Sequence, residues 1–248
     1  SIRLPSHGTA NADGSLLAML IRRHGCSAER KTTRAWRPEI DPIMLSAQSI
    51  AALHDQLTRN WHVSAEQPAP PTEHPAFLER VARQHRANFD LWHTEDEART
   101  PDATDADLAR VKRRVDRTNQ LRNDLAEELD RALLAWLNER GLPRAEAPLH
   151  SESPGLMIDR LSILSLKIFH TREEAERRNA PAGHTQRNLD RLAILEEQRA
   201  DLAACLDTVW KETLAGGRRF KLYRQLKMYN DPSLNPAIYR KPEAAAKA

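Results

Sequence analysis

Apolar residues recur at helical spacing through most of the chain, beginning with Ile50, Leu53, Leu57 and Trp61 on one side of "SIAALHDQLTRNWH". A proline-rich stretch, "EQPAPPTEHP", interrupts the pattern. It resumes with Phe77 and Val81 in a helix expected from about Pro75 to Arg99, closed before Pro101. Thr104 with Asp107 three residues on makes an acidic capping box for the next helix, which runs to about Arg140 and stops at Gly141. Ser153 as a cap and Pro154 in the first turn open another. There Leu156, Met157, Ile158, Leu161, Ile163, Leu164, Leu166, Ile168 and Phe169 spread around most of the circumference, as a central helix requires. Thr185 can cap a long helix reaching "TLAGG", and "RRFKLYRQLKMYN" reads as a shorter final helix before the turns of "NDPSLNP". No alternating strand pattern competes. The expected fold is all-α, an irregular helical bundle of about five to seven helices with a central apolar helix. It should occupy residues 46–240, between a basic N-terminal arm over 1–45 and a flexible tail over 241–248.

Polar residues interrupt this pattern in register with one another. In "HRANFDLWHTEDEAR" the side begun by Phe77 and Val81 continues as Asn88, Trp92, Glu95 and Arg99, with His85 and Asp96 at its edge. Either that side faces a wet inter-helical pocket, or the helix leaves the bundle and Glu95 with Arg99 is an ordinary surface pair. An opposing wall is available in "DRTNQLRNDLAEELD", where Thr118 and Arg122 project within an apolar face beside a row holding Asn119, Asn123, Glu127 and Asp130. An inward Arg122 needs carboxylate, phosphate or carbonyl partners for its five donors. On the central helix Asp159, Ser162 and His170 share a side, with Arg160 and Lys167 on the neighbouring one. Asp159 can therefore pair with Arg122, His85 or His170.

Charge and cysteine content narrow the classes. The formal charge of +3 is concentrated at the ends: seven Arg/Lys precede residue 38 against Asp13 and Glu29, and eight follow residue 215 against Asp231 and Glu243. No recognised nucleic-acid module accompanies these charges, no segment is apolar enough to span a membrane, and no secretory leader is evident. A cytoplasmic protein is expected. Cys26 and Cys205 are isolated, so two reduced thiols are expected, with Cys205 packed beside Leu202, Leu206 and Val209. His85 and His93 lie eight apart without a matching ligand triplet, which argues against a structural zinc site. There is no P-loop, dinucleotide loop or nucleophile elbow. The terminal "RRFKLYRQLKMYNDP" can close over a ligand as a basic lid or dock through its apolar residues on the body.

The segments quoted around residues 85–99, 116–130 and 151–170, with "RLAILEEQRADL" and "RRFKLYRQLKMYNDPSLNP", together resemble the bacterial family catalogued as domain of unknown function 4254. The resemblance runs from about residue 50 to 240. It is carried by His85, Asn88, Trp92, His93, Glu95, Asp96, Arg99, Asn119, Arg122, Asn123, Asp159, Arg160, Lys167 and Tyr229. It implies a largely helical cytoplasmic protein with a pointer to cell-surface polysaccharide metabolism, and it brings no reaction.

Two functions follow as expectations. The first is a hydrolase acting on a phosphorylated metabolite or nucleotide-sugar in a polar inter-helical pocket. Its catalytic candidates are His85, Glu95, Asp96 and Asp159; Asn88, Trp92, Arg99, Asn119, Arg122, Asn123, Lys167 and His170 would bind substrate. Glu95, Asp96, Glu127 and Asp130 would hold a divalent ion such as Mg2+, although their spacing departs from the paired ExxE and ExxD of helical pyrophosphatases. The second is a non-enzymatic adaptor or structural protein in polysaccharide or envelope assembly. Either is compatible with a homodimer formed through the long helices.

Overall fold

The computed structural model describes residues 46–64, 75–226 and 231–236. The N-terminal arm, most of the proline-rich loop, Tyr229 and the C-terminal tail lie outside the described residues. Five helices form an irregular all-α bundle among those described: α1 (Ala47–Val63), α2 (Pro75–Glu97), α3 (Asp105–Asn138), α4 (Pro154–Glu176) and α5 (His184–Leu214). The periodicity of the sequence explains their packing. Ile50, Leu53, Leu57 and Trp61 of α1 are buried, as are Phe77 and Val81 of α2 and Leu125, Leu129 and Leu133 of α3. As its all-round apolar surface requires, α4 packs against all four other helices. None of the described helices is long and apolar enough to cross a membrane.

Local chemistry sets the helix ends. The Thr104–Asp107 capping box forms as expected, and Ser46 caps α1 by accepting from the Ser49 amide at 3.3 Å. Four local expectations are corrected. Thr185 is not the cap of α5, which starts one residue earlier behind Gly183 at φ 74°, with the His184 ring held 2.9 Å from the Glu174 carboxylate of α4. Residues 218–226 are not helical. Gly216, at φ 73°, ends α5, and Arg219 then pairs with the 147–150 segment, accepting from the His150 amide at 2.7 Å. Phe220 is buried there and the Gln225 amide donates to Glu127 at 2.9 Å, so this basic segment docks on the body. Cys205 is exposed on α5 and not packed.

Ser153 makes no side-chain cap either; its hydroxyl donates to Asp130 of α3. The same carboxylate accepts from the Gly155 amide at 2.7 Å and so ties α3 to the first turn of α4. Only glycine fits at 155, because a Cβ would run into the Ala126 carbonyl oxygen and lie 2.8 Å from Asp130 Cγ. Burial pushes Asp130 from 3.8 up to about 6, against the lowering effect of its bonds to Ser153 and Gly155. A carboxyl whose folded value is raised keeps its full stability below pH 3.8 and loses it as pH rises through about 6. Asp130→Asn retains an acceptor for Gly155 and a donor for Ser153 without the charge. It is expected to exceed the wild type by up to about 3 kcal/mol at pH 8 and to match it near pH 4, as read from urea melts at both pH values.

Candidate functional site

The polar turn in the side of α2 is matched by polar groups on α4 and α3. Asp159 of α4, 7% exposed at its side chain, accepts four hydrogen bonds. Its Oδ1 receives the Gln84 amide, Asn88 Nδ2 at 3.0 Å and Arg122 Nε at 2.9 Å; its Oδ2 receives Arg122 Nη2 at 2.7 Å. Asn88 also donates to Ser162 Oγ at 2.9 Å, one turn along from Asp159. His85 bridges Ser162 Oγ at 2.7 Å and Thr58 Oγ1 of α1 at 2.9 Å. One continuous polar path therefore joins α1, α2, α4 and α3. It is what lets an Arg–Asp pair sit inside the bundle: each buried polar atom on the path except Gln84 Oε1 has a partner.

His85 is fully buried, with its ring stacked 4.4 Å from that of His54. Burial pushes His85 down to about 3, opposed by a hydrogen bond to the His54 backbone, and it pushes His54 well below the ordinary histidine range. Both rings are neutral at pH 7. The structure thus places His85 and Asp159 as a brace behind the site.

In front of that brace lies a cleft of about 340 Å³ between α2, α3 and α4, lined by Asn88, Trp92, Glu95, Asp96, Arg99 and Arg122 over an apolar floor that includes Ile163 and Leu166. The helix does not leave the bundle over the 85–99 stretch. The side faces an inter-helical cleft, and Glu95 pairs with Arg99 at 3.4 Å on its rim. Arg122 is 24% exposed and directs Nη1 toward Asn119 Oδ1 at 3.4 Å. Its Nε and Nη2 atoms are held by Asp159, so the guanidinium is fixed at the cleft wall.

The remaining candidates lie elsewhere. Lys167 lines a different groove, between α4 and α5, with Arg160, Gln198 and Asp201. Asn123 is half-buried on α3, its amide nitrogen without a partner. Glu95, Asp96, Glu127 and Asp130 are not brought together. Glu95 and Asp96 border the cleft, whereas Asp130 secures the start of α4 and Glu127 accepts from Arg131 at 2.8 Å and from the Gln225 amide. His170 stacks on Trp92 with ring centroids 4.9 Å apart and meets His62 and His93. These three histidines each offer a ligand atom within 4.8 Å of the others, a group able to hold a metal ion.

Sequence reasoning passed over Gln84, Thr58 and His62. Gln84 lies at helical spacing from Asn88, a signal that was available. Thr58 and His62 sit on α1, and nothing local links them to residues 27 or more positions away; only the packing of α1 against α2 and α4 does.

Residues 78–222, more than half of the chain, match the family model described as protein of unknown function (DUF4254). The matched span contains the whole cleft and its Asp159 brace, and begins after α1. No curated protein and no solved structure matches the chain.

Proposed function

The chain belongs to the DUF4254 family, and from that premise we propose that its α2–α3–α4 cleft binds a phosphorylated small molecule of the sugar-phosphate or nucleotide-sugar class and hydrolyses it. The observation that carries the reading is the Asp159 node, which holds Asn88 and Arg122 in fixed positions at the cleft wall. Fixed donors beside an aromatic ring, Trp92, suit a ligand with hydroxyl groups and a flat apolar face. Arg99 and Arg122 are the donors for phosphoryl oxygens.

Charge balance adds a condition. Asp159 already answers Arg122 and Glu95 answers Arg99, so an incoming phosphate also meets Asp96. A divalent cation such as Mg2+, shared between phosphate and the Glu95–Asp96 pair, removes that repulsion. Glu95 is then the group placed to take a proton from water, since it opens on the cleft while His85 lies behind it.

The test is a thermal-shift panel of nucleotides, nucleotide-sugars and sugar phosphates with and without MgCl2, followed by calorimetric titration. A saturable, Mg2+-enhanced hit is expected, weakened at least about tenfold in Arg99→Gln and Glu95→Gln, whose rim positions spare the fold. A well-folded protein that binds nothing in the panel removes this reading in favour of the adaptor, in which the Arg122–Asp159 pair serves packing alone.

A further inference from the structure

His62 lies at the end of α1, and His93 and His170 lie in the last two turns of α2 and α4, and their three rings meet edge to face. Centroid separations are 5.1 Å for His62–His93, 5.1 Å for His62–His170 and 5.5 Å for His93–His170. Three imidazoles bound at tetrahedral angles to an ion with metal–nitrogen bonds of about 2.0–2.1 Å would place their centroids about 5 Å apart. A facial octahedral arrangement would bring them to about 4.5 Å.

Two of the three rings have their nitrogens sorted as ligation requires. His62 Nδ1 donates to the Thr58 carbonyl at 2.7 Å and His170 Nδ1 to Glu173 Oε2 at 2.9 Å, while His93 Nδ1 lies 3.9 Å from Asp96 Oδ2. A carbonyl or carboxylate on Nδ1 fixes the tautomer in which Nε2 carries the lone pair, the usual outer support of a metal-bound histidine. The Nε2 atoms of His93 and His170 are buried with no hydrogen-bond partner. A buried acceptor left in that state is costly, and two of them in one three-histidine cluster call for a shared partner.

We propose that His62, His93 and His170 bind one transition-metal ion of the zinc type through Nε2, in a tetrahedral site whose fourth position is open to water or a ligand. Three neutral nitrogen donors select Zn2+, Co2+, Ni2+ or Cu2+ over Mg2+ and Ca2+, which take oxygen. Burial lowers His93 and His170 from the ordinary histidine value; at His93 the neighbouring rings add to it, and at His170 the Glu173 carboxylate opposes it. Phe89 and Phe169 pack around the cluster, and the exposed His62 gives an ion its way in. The site shares a wall with the cleft, through the His170–Trp92 stack and through Asp96.

The test uses the untagged full chain, stripped with chelator and titrated with Co2+. Uptake of about one equivalent is expected, with the intense visible absorption of tetrahedral cobalt, displaced by Zn2+ and indifferent to Mg2+. His93→Gln and His170→Gln should each weaken binding at least about tenfold, with circular dichroism confirming their fold. His150→Gln, a histidine outside the cluster, and the cleft variants Glu95→Gln and Arg99→Gln should leave it unchanged, so failure here and failure of the cleft reading are told apart. No uptake, a pale octahedral spectrum, or binding that survives both cluster substitutions overturns the proposal.

Discussion

Acidification from pH 7 to pH 3 is expected to remove about 4 kcal/mol of stability through His85 alone. The unfolded chain protonates this ring near pH 6.5, whereas the folded one resists until about 3. Stability contributed by a depressed histidine is full above the unfolded value and is lost as pH falls toward the folded one. His54 acts in the same direction, since burial holds it down and the neighbouring His85 and Arg199 offer its charged form no compensation. Arg199 is itself engaged by Asp55 at 2.7 Å, so its field at His54 is reduced but not reversed. Asp130 works the other way, gaining its proton as pH falls through about 6, and it masks much of the loss above pH 4. The Asp130→Asn background uncovers the limb. Urea melts there should show stability falling steadily from pH 6.5 to 3, and His54→Leu, which replaces a ring whose two nitrogens have no partner, should make the fall shallower. A flat profile in Asp130→Asn would mean that these rings take up protons in the folded state and are not sealed in the core.

The bundle was legible because its signals are local. Helical spacing in α1 to α5, the Thr104–Asp107 box and the all-round apolar surface of α4 each depend on neighbours within a turn or two. Residues 218–226 misled because Phe220, Leu222 and Tyr223 carry an apolar pattern compatible with a helix. The Gly216 turn and the pairing of Arg219 with the 147–150 segment, about 70 positions away, take the chain out of a helix there. Cys205 has apolar neighbours in sequence yet faces outward, since the stripe α5 buries runs through Leu202, Leu206 and Val209.

The cleft was half legible for the same reason. Asn88, Trp92, Glu95 and Arg99 share a side of one helix, and Arg122 and Asp159 each break an apolar face, so their meeting could be anticipated. Lys167 resembles Arg122 in type and setting, but it lies on a different side of α4 from Asp159 and Ser162 and lines another groove. Three histidines on three helices leave no trace in spacing at all.

Asp159→Ala is expected to cost about 3 kcal/mol, at the low end for breaking a buried ion pair because Arg122, 24% exposed, can turn partly toward solvent. The loss reaches beyond the pair, since Gln84 loses its only hydrogen-bond partner and Asn88 keeps only Ser162. Asp159→Asn should cost less, for its carbonyl oxygen still accepts from α2 while its amide faces the guanidinium. The double variant Arg122→Gln/Asp159→Asn pairs two amides across the same gap. Chemical denaturation should find it more stable than the sum of the single losses by about 1–2 kcal/mol, as coupled neighbours behave. Ligand binding separates packing from recognition. If Asp159 serves only to pack α2 and α3 on α4, a variant that regains stability regains everything the wild type does. If it serves to aim Arg122 into the cleft, the double variant is folded and stable and still fails to bind any phosphorylated ligand that the wild type takes, because no guanidinium remains to meet it.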